Sequence, residues 1–408
     1  MVDTLLIFLL QIAVILVATR AGSLAAIKLR IAPILGELVA GIALGPTLFG
    51  LLLPEVQAFI FPPAGSPNND ILQSMSWMGL IFLMFIGGLE VDMSSVRQNF
   101  GRAALIALCA LVISLAVGIG LASMLPAEVT SGSTHPALDF FFAIALAITA
   151  IPVLIKILID LKLLDTRFGN IILIAGMILD TVGWILLAIV IRGTSEGFSL
   201  TETLITCALI GGFLIVNFTL GRFLFKRLVG LQGREDDLSV NFLAAVMALM
   251  LLGAAATHWL GIHPVLGAFA VGLMVGMWRL SSRIKEKIQD FAFSFFVPVF
   301  IANLGLRANL LLIDSWQLWG LTLFIIIVIS IAKLLGGALG ARLGGLGWAE
   351  AGATGIAANT QGAMGLVAAT VGYDLGLIPS NLYAILVVVA VIRTLLSAVG
   401  LVLIKHRL

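Results

Sequence analysis

The chain has 408 residues, 61% of them hydrophobic and only 11% charged, with a net charge of +2 and a mean hydropathy of +1.18. Soluble domains carry about 25% charged residues, so composition excludes a soluble globular protein and implies an all-α polytopic membrane protein with the lipid bilayer as its solvent. The small net charge, with no basic run and no interleaving of aromatic and basic residues, argues against nucleic acid as a partner.

Apolar runs separated by Gly, Pro and charged clusters predict about thirteen transmembrane spans. They lie near 5–22, 31–52, 72–89, 103–125, 138–159, 169–191, 200–224, 238–258, 262–278, 288–305, 316–341, 350–372 and 381–404. The opening MVDTLLIFLL has no basic n-region, so it reads as a first helix that is kept rather than cleaved. Loop charges test the count. Lys28 and Arg30, Arg97 and Arg102, Lys162 and Arg167, Arg222, Lys226 and Arg227, Arg279 and Lys285, Arg342, and Lys405 all follow odd-numbered spans, whereas Arg192 and Arg307 follow even-numbered ones. The positive-inside rule then puts the C-terminus in the cytoplasm and the N-terminus outside.

Span 2 begins a pattern that returns later. Ile31-Ala-Pro33-Ile-Leu35-Gly36…Gly41-Ile42 recurs in span 9 as Ile262-His-Pro264-Val-Leu266-Gly267…Gly272-Leu273, and Gly88-Leu-Glu-Val-Asp-Met at the end of span 3 recurs in span 10 as Gly305-Leu-Arg-Ala-Asn-Leu. Each pair joins an even span to an odd one, so the copies cross in opposite directions. Inverted repeats of this kind are a mark of secondary transporters. The same register pairs span 5, with Thr149 and Pro152, with span 12, which holds Asn359, Thr360, Gln361, Gly362 and Gly365. Proline and glycine weaken a helix interior. Two interrupted helices in matching positions predict a crossing whose freed backbone groups face a transport site.

Span 6 (IILIAGMILDTVGWILLAIVI) carries one ionisable group, Asp180, near its middle. A carboxylate at that depth is costly unless it has a wet cavity or a partner, and is a functional-site hypothesis by default. It can hold a proton or a cation. In span 11, Lys333 reads either as snorkelling to the interface or as a positive charge that offsets the half-helix ends or pairs with Asp180. In span 13, Arg393-Thr394 stands in repeat register with Asp180-Thr181, and Arg393 reads equally as the fixed charge of the core or as a bundle stabiliser. Glu37 reads as lining a funnel, while the roles of His258 and His263 stay open. Cys109 and Cys207 lie in apolar runs and read as packing.

Metalloprotease, Walker-type and nucleophile-elbow motifs are lacking, and no histidine falls in mid-span, which counts against a membrane hydrolase. With no nucleotide-binding domain in the chain, ion gradients rather than ATP are expected to supply the driving force, and no cofactor is expected.

The run from Ala147-Ile-Thr149-Ala-Ile-Pro152 through Leu163-Leu164 to Asp180-Thr-Val-Gly-Trp184 resembles the monovalent cation:proton antiporter-2 family, which includes bacterial Na+/H+ antiporters, Kef-type K+ efflux systems and plant cation/H+ exchangers. Ile31-Ala-Pro33-Ile-Leu35-Gly36…Gly41…Leu44-Gly45-Pro46 is similar to its second-helix signature, and Asn359-Thr-Gln-Gly362 continuing to Tyr373-Asp-Leu-Gly376 to the twelfth helix of the plant-type exchangers. The resemblance implies an inverted-repeat antiporter fold with two broken crossing helices, assembled as a homodimer. It implies dimer-domain parts at 1–100 and 231–310, core parts at 101–195 and 311–408, and a linker helix within 196–230. The implied ion and proton ligands are Asp180 and Thr149, holding a transient monovalent cation, supported by Lys333, Arg393, Asn359, Thr360, Gln361 and Pro152.

The sequence departs from the family pattern at Leu179, where relatives usually have Asp or Asn, and it ends without a Kef-type regulatory domain. The expectation is electroneutral exchange of Na+ or Li+ for H+ around Asp180, in a bacterial inner membrane. The alternative is a K+/H+ antiporter or a Kef-like efflux pathway. A symporter for anions or organic solutes is the reading from another class.

Overall fold

The computed structural model describes residues 4–29, 33–63, 65–89, 93–130, 136–149, 151–161, 163, 166–196, 200–230, 240–260, 264–278, 282–307 and 309–405. Among them there is no strand. The principal helices, in chain order, are α1 (Thr4–Lys28), α2 (Pro33–Leu44), α3 (Pro67–Leu89), α4 (Met93–Ala122), α5 (Pro136–Ala147), α6 (Ile151–Asp160), α7 (Arg167–Glu196), α8 (Leu200–Val216), α9 (Val240–Trp259), α10 (Pro264–Gly276), α11 (Ser282–Phe291), α12 (Val297–Arg307), α13 (Trp316–Leu343), α14 (Trp348–Ala358), α15 (Gly362–Asp374) and α16 (Ser380–Ile404).

Ten helical segments among the described residues are long and apolar enough to cross a bilayer. They match predicted spans 1–4, 6–8, 10, 11 and 13. Spans 5, 9 and 12 differ for one physical reason. Span 5 is α5 and α6, of 12 and 10 residues. Span 9 is α10, of 13 residues, and span 12 is α14 and α15, of 11 and 13. At ~1.5 Å per residue, each piece falls short of a ~30 Å core. The expectation of thirteen crossings therefore rests on α5 with α6, and α14 with α15, crossing as pairs, and on the short α10 counting as a crossing of its own. Two π turns, Asn217–Gly221 and Ala292–Phe296, interrupt spans 7 and 10, which the apolar pattern reads as continuous.

The chain divides into two compact units. One comprises Met1–Gln73, Ser95–Leu187 and Ile301–Leu408, the other Ser74–Ser94 and Ala188–Phe300. In the first, α1 meets α2 so closely that a methyl group on Gly36 would lie 2.1 Å from the Gly22 carbonyl oxygen, and a methyl on Gly305 of α12 would lie 2.7 Å from the Gly41 carbonyl carbon of α2. In the second unit, a methyl on Gly267 of α10 would lie 2.0 Å from the Gly253 oxygen of α9, and one on Gly88 of α3 would lie 2.9 Å from the Gly272 carbonyl carbon of α10. Gly22, Gly36, Gly41 and Gly305 thus make in one unit the contacts that Gly253, Gly267, Gly272 and Gly88 make in the other. The sequence repeat is a repeat of backbone contacts. Small residues let helix backbones touch where lipid supplies no hydrophobic drive. Of the repeat itself, Ile31, Ala32, Ile262 and His263 lie outside the described residues.

In the first unit, α4 packs on α5 and α13. A methyl on Gly118 would come 2.8 Å from the Ala143 Cα, and one on Gly340 would come 2.6 Å from the Ile106 Cα.

Candidate functional site

Helix α5 stops at Ala147 and α6 starts at Ile151. The last four carbonyls of a helix have no partner within it, and at mid-bilayer water does not supply one. Here all four are satisfied. Ile144 O accepts from the Ile148 N–H at 3.0 Å. Ala145 O accepts from Gln361 Nε2 at 2.7 Å, and Leu146 O from Arg393 Nη1 at 2.9 Å. Ala147 O accepts from Lys333 Nζ. Three helices or breaks remote in sequence thus cover one helix end, and two of the three donors are cationic side chains facing its negative dipole end.

The second break is sealed in the same way. The Ala358 oxygen that ends α14 accepts from Thr149 Oγ1 at 3.0 Å, and Ile356 O accepts from Ser397 Oγ. Thr360 Oγ1 lies 2.7 Å from Ser397 Oγ. The Ser397 proton goes to Ile356, so Thr360 is the donor of that bond. The chain restarts at Gly362, whose φ of +44° is a conformation that favours glycine. Its orphan N–H donates to Thr394 Oγ1 at 2.7 Å, an N-cap supplied by another helix where Gln361 itself gives none. Arg393 Nε donates to Asn359 Oδ1 at 2.9 Å and its Nη1 also donates to Gln361 Oε1. These donors fix the orientation of the Gln361 amide, whose nitrogen points to Ala145.

Lys333, Arg393, Thr149 and Thr360 are each 0% exposed, Gln361 1% and Asn359 6%. Lys333 therefore does not snorkel. Its ammonium also donates to Thr149 Oγ1 at 3.0 Å, so that hydroxyl receives one bond and gives another, leaving one acceptor lone pair. Pro152 falls in the first turn of α6, where a missing N–H costs nothing. It opens the second half-helix, and the interruption itself lies before it. Its side chain is outside the described residues.

Asp180 is 2% exposed on α7. It shares a helix face with Gly176 and Gly183, at spacings of four and three. A methyl on Gly176 would approach Leu154 at 3.3 Å and Ile151 at 3.9 Å, and one on Gly183 would meet Ile148 at 2.8 Å. The face that carries Asp180 is therefore the face laid against the α5–α6 break. Leu179, one step round the helix, is 1% exposed and clusters with Ala107 and Ala110 of α4. Glu37 is half-buried on α2 and His258 is exposed near the end of α9, whereas His263 lies outside the described residues. Among the described residues no three His, Cys, Asp or Glu are grouped to hold a metal ion.

Ser397 and the Asn359 partner Ser330, 3.3 Å away, join the candidate site without being named from the sequence, and Thr394, named there only for its repeat register, caps Gly362. A signal existed: Arg393, Thr394 and Ser397 form a polar stripe, with steps of one and three, on an otherwise apolar helix.

A profile of sodium/hydrogen exchanger transmembrane proteins matches residues 12–404. The Na(+)/H(+) antiporter NhaS4 of Synechocystis is 32% identical over 401 residues, covering 97% of this chain and 96% of that protein. The K(+)/H(+) antiporter 1 of Saccharomyces cerevisiae is 31% identical over 404 residues, covering 96% of this chain and 46% of that protein. The chain thus spans about half the length of the yeast relative, as it does of plant relatives it also matches. The solved structure of the sodium proton antiporter MjNhaP1 from Methanocaldococcus jannaschii superposes with a TM-score of 0.70 at 17% identity, over 100% of this chain and 99% of that one, so the two share a fold.

Proposed function

We propose, from the premise that this chain belongs to the sodium/hydrogen exchanger transmembrane family, that it exchanges Na+ or Li+ for H+ across a membrane by alternating access. As a member of that family it is an integral, multi-pass membrane protein. The observation that carries the reading is Asp180, 2% exposed and set on the α7 face that packs on the first break. A carboxylate there holds a proton or a cation, one at a time. Exchange then follows from competition alone, without a second site. Thr149, with one acceptor lone pair left, is the adjoining ligand proposed for a transient monovalent cation.

Lys333 and Arg393 have separate work. Both donate to helix-end carbonyls, and Asp180 is the group proposed to bind the ion. Pro152, Asn359, Thr360 and Gln361 hold the crossing in shape. The apolar seat of Leu179 on α4 supports a single carboxylate per cycle, and hence one cation for one proton. The same reading includes a homodimer with the dimer, linker and core parts given above, in a bacterial cell membrane with the N-terminus outside and the C-terminus in the cytoplasm.

A second reading, K+/H+ exchange, is favoured by the K(+)/H(+) antiporter at 31% identity. Proteoliposomes holding a pH-sensitive dye decide between them. Dequenching is expected on adding Na+ or Li+, and dequenching by K+ alone selects the second reading. An Asp180→Asn variant that still moved protons in response to cations would overturn both.

A further inference from the structure

Tyr373-Asp374-Leu375-Gly376 takes no part in the crossing, yet its aspartate makes an ion pair between distant helices. Arg307, the last residue of α12, donates to Asp374 Oδ1, the last residue of α15, at 2.5 Å. The other arm of the guanidinium donates to Gln73 Oε1 of α3, which also accepts from Asn303 Nδ2 at 2.8 Å. One turn back, the Tyr383 hydroxyl of α16 donates to Leu304 O, a carbonyl in the last turn of α12, at 3.1 Å. At this level α3, α12, α15 and α16 are held by directional polar bonds.

Lower on the same helices the character changes. Leu35, Leu38, Val153, Ile301, Leu366 and Val391 line an apolar cavity with Gly362 and Thr394 at its polar edge. Ile301 lies six residues before Arg307 on α12, and Leu366 eight before Asp374 on α15. At ~1.5 Å per residue the cavity is about 9–12 Å below the ion pair. One pair of helices is thus bonded at one end and flanks a small apolar cavity at the other, beside the break.

We infer that the Arg307–Asp374 pair, steadied by Gln73, is a latch that closes one access route to the site and holds the protein in the state whose cavity opens on the opposite side. The inference rests on the alternating-access reading. Each transport cycle breaks this pair as α12 and α15 part at their far ends, so the latch sets the balance between the two access states. Its side chains are 18% and 36% exposed, which fits a bond meant to open: an ion pair at such a depth biases an equilibrium by about two- to fivefold rather than locking it.

The test reads access, not transport. In a background with Cys109→Ala and Cys207→Ala, a Val391→Cys probe in the cavity wall is labelled by a membrane-impermeant maleimide in proteoliposomes. Asp374→Asn and Arg307→Gln are each expected to slow labelling two- to fivefold, and the charge swap Arg307→Asp with Asp374→Arg to restore at least half of the rate. Labelling that stays within 1.5-fold in monodisperse single variants overturns the latch, and so does a swap slower than either single variant. Cation-dependent proton movement by Asp180→Asn, measured separately without the probe, tests the ion-site assignment, so failure of the latch and failure of that assignment are told apart.

Discussion

Arg393→Met tests whether the crossing is held by charge or by the shape of a guanidinium. The substitution keeps length and apolar bulk but removes three bonds, to Asn359 Oδ1, Gln361 Oε1 and Leu146 O. Hydrogen bonds from a charged donor contribute about 1.5–3 kcal/mol each in soluble proteins, and side-chain bonds within membrane proteins average about 0.6 kcal/mol. Three acceptors left unpaired at 0–6% exposure therefore cost about 2–9 kcal/mol. Relief from holding a dry guanidinium offsets several kcal/mol of that. The expected net loss is about 2–4 kcal/mol. Arg393→Lys keeps the charge, but a single ammonium does not span three splayed acceptors. It is expected to recover no more than half of the loss. The measurement is the unfolding midpoint in detergent, with cation-dependent proton movement followed in parallel. If Lys restored full stability, the hydrogen-bonded fork would be irrelevant and charge alone would suffice. If Met cost nothing, the crossing would not depend on Arg393 at all.

Other outcomes follow from the same geometry. Thr394→Val removes the trans-cap on Gly362 and is expected to cost about 1 kcal/mol in the unfolding midpoint, which Thr394→Ser recovers. Gly36→Ala and Gly267→Ala drive a methyl into a facing backbone oxygen and are each expected to lose about 1–3 kcal/mol; a neutral result at either position refutes the close helix contact there. Leu179→Ala is expected to lower stability by about 2–4 kcal/mol and leave the cation-to-proton ratio unchanged, and a ratio that moved in flux measurements under a clamped membrane potential would give Leu179 a place in the ion site. With Asp180 as the proposed shared site, initial rates are expected to show an apparent KM for Na+ that rises as pH falls, approaching about tenfold for each pH unit on the acid side; a KM independent of pH there rules out a shared site.

Much of this arrangement is legible in the sequence because the bilayer enforces simple rules. A charge in mid-span is conspicuous, and Asp180, Lys333 and Arg393 are found by that criterion alone. Broken helices announce themselves through Pro152 and Gly362, and the inverted repeat through paired glycines that turn out to be points of close helix contact. What stayed hidden is of two kinds. Two of the five oxygens that accept from Lys333 and Arg393 are backbone carbonyls, at Ala147 and Leu146, which no residue type signals. The π turns at Asn217 and Ala292 leave an apolar run unchanged, because their interruption is one of hydrogen-bond register and not of composition. Pro152 shows the limit of a correct clue. It marks the break, but it stands inside the helix that follows, where its missing N–H is harmless.

The sealing of α5 also fixes an order of assembly. Its end is finished by Gln361, 216 positions on from Ala145, and by Arg393, 247 positions on from Leu146. During synthesis the first half-helix must enter the bilayer with three carbonyls uncovered and wait there until Lys333, Gln361 and Arg393 have been made. Only when α16 inserts does the site near Asp180 acquire its walls. A chain interrupted before that helix leaves the Leu146 carbonyl uncovered, where an unpaired backbone group in lipid is costly. The crossing thereby reports that α16 has been made and inserted.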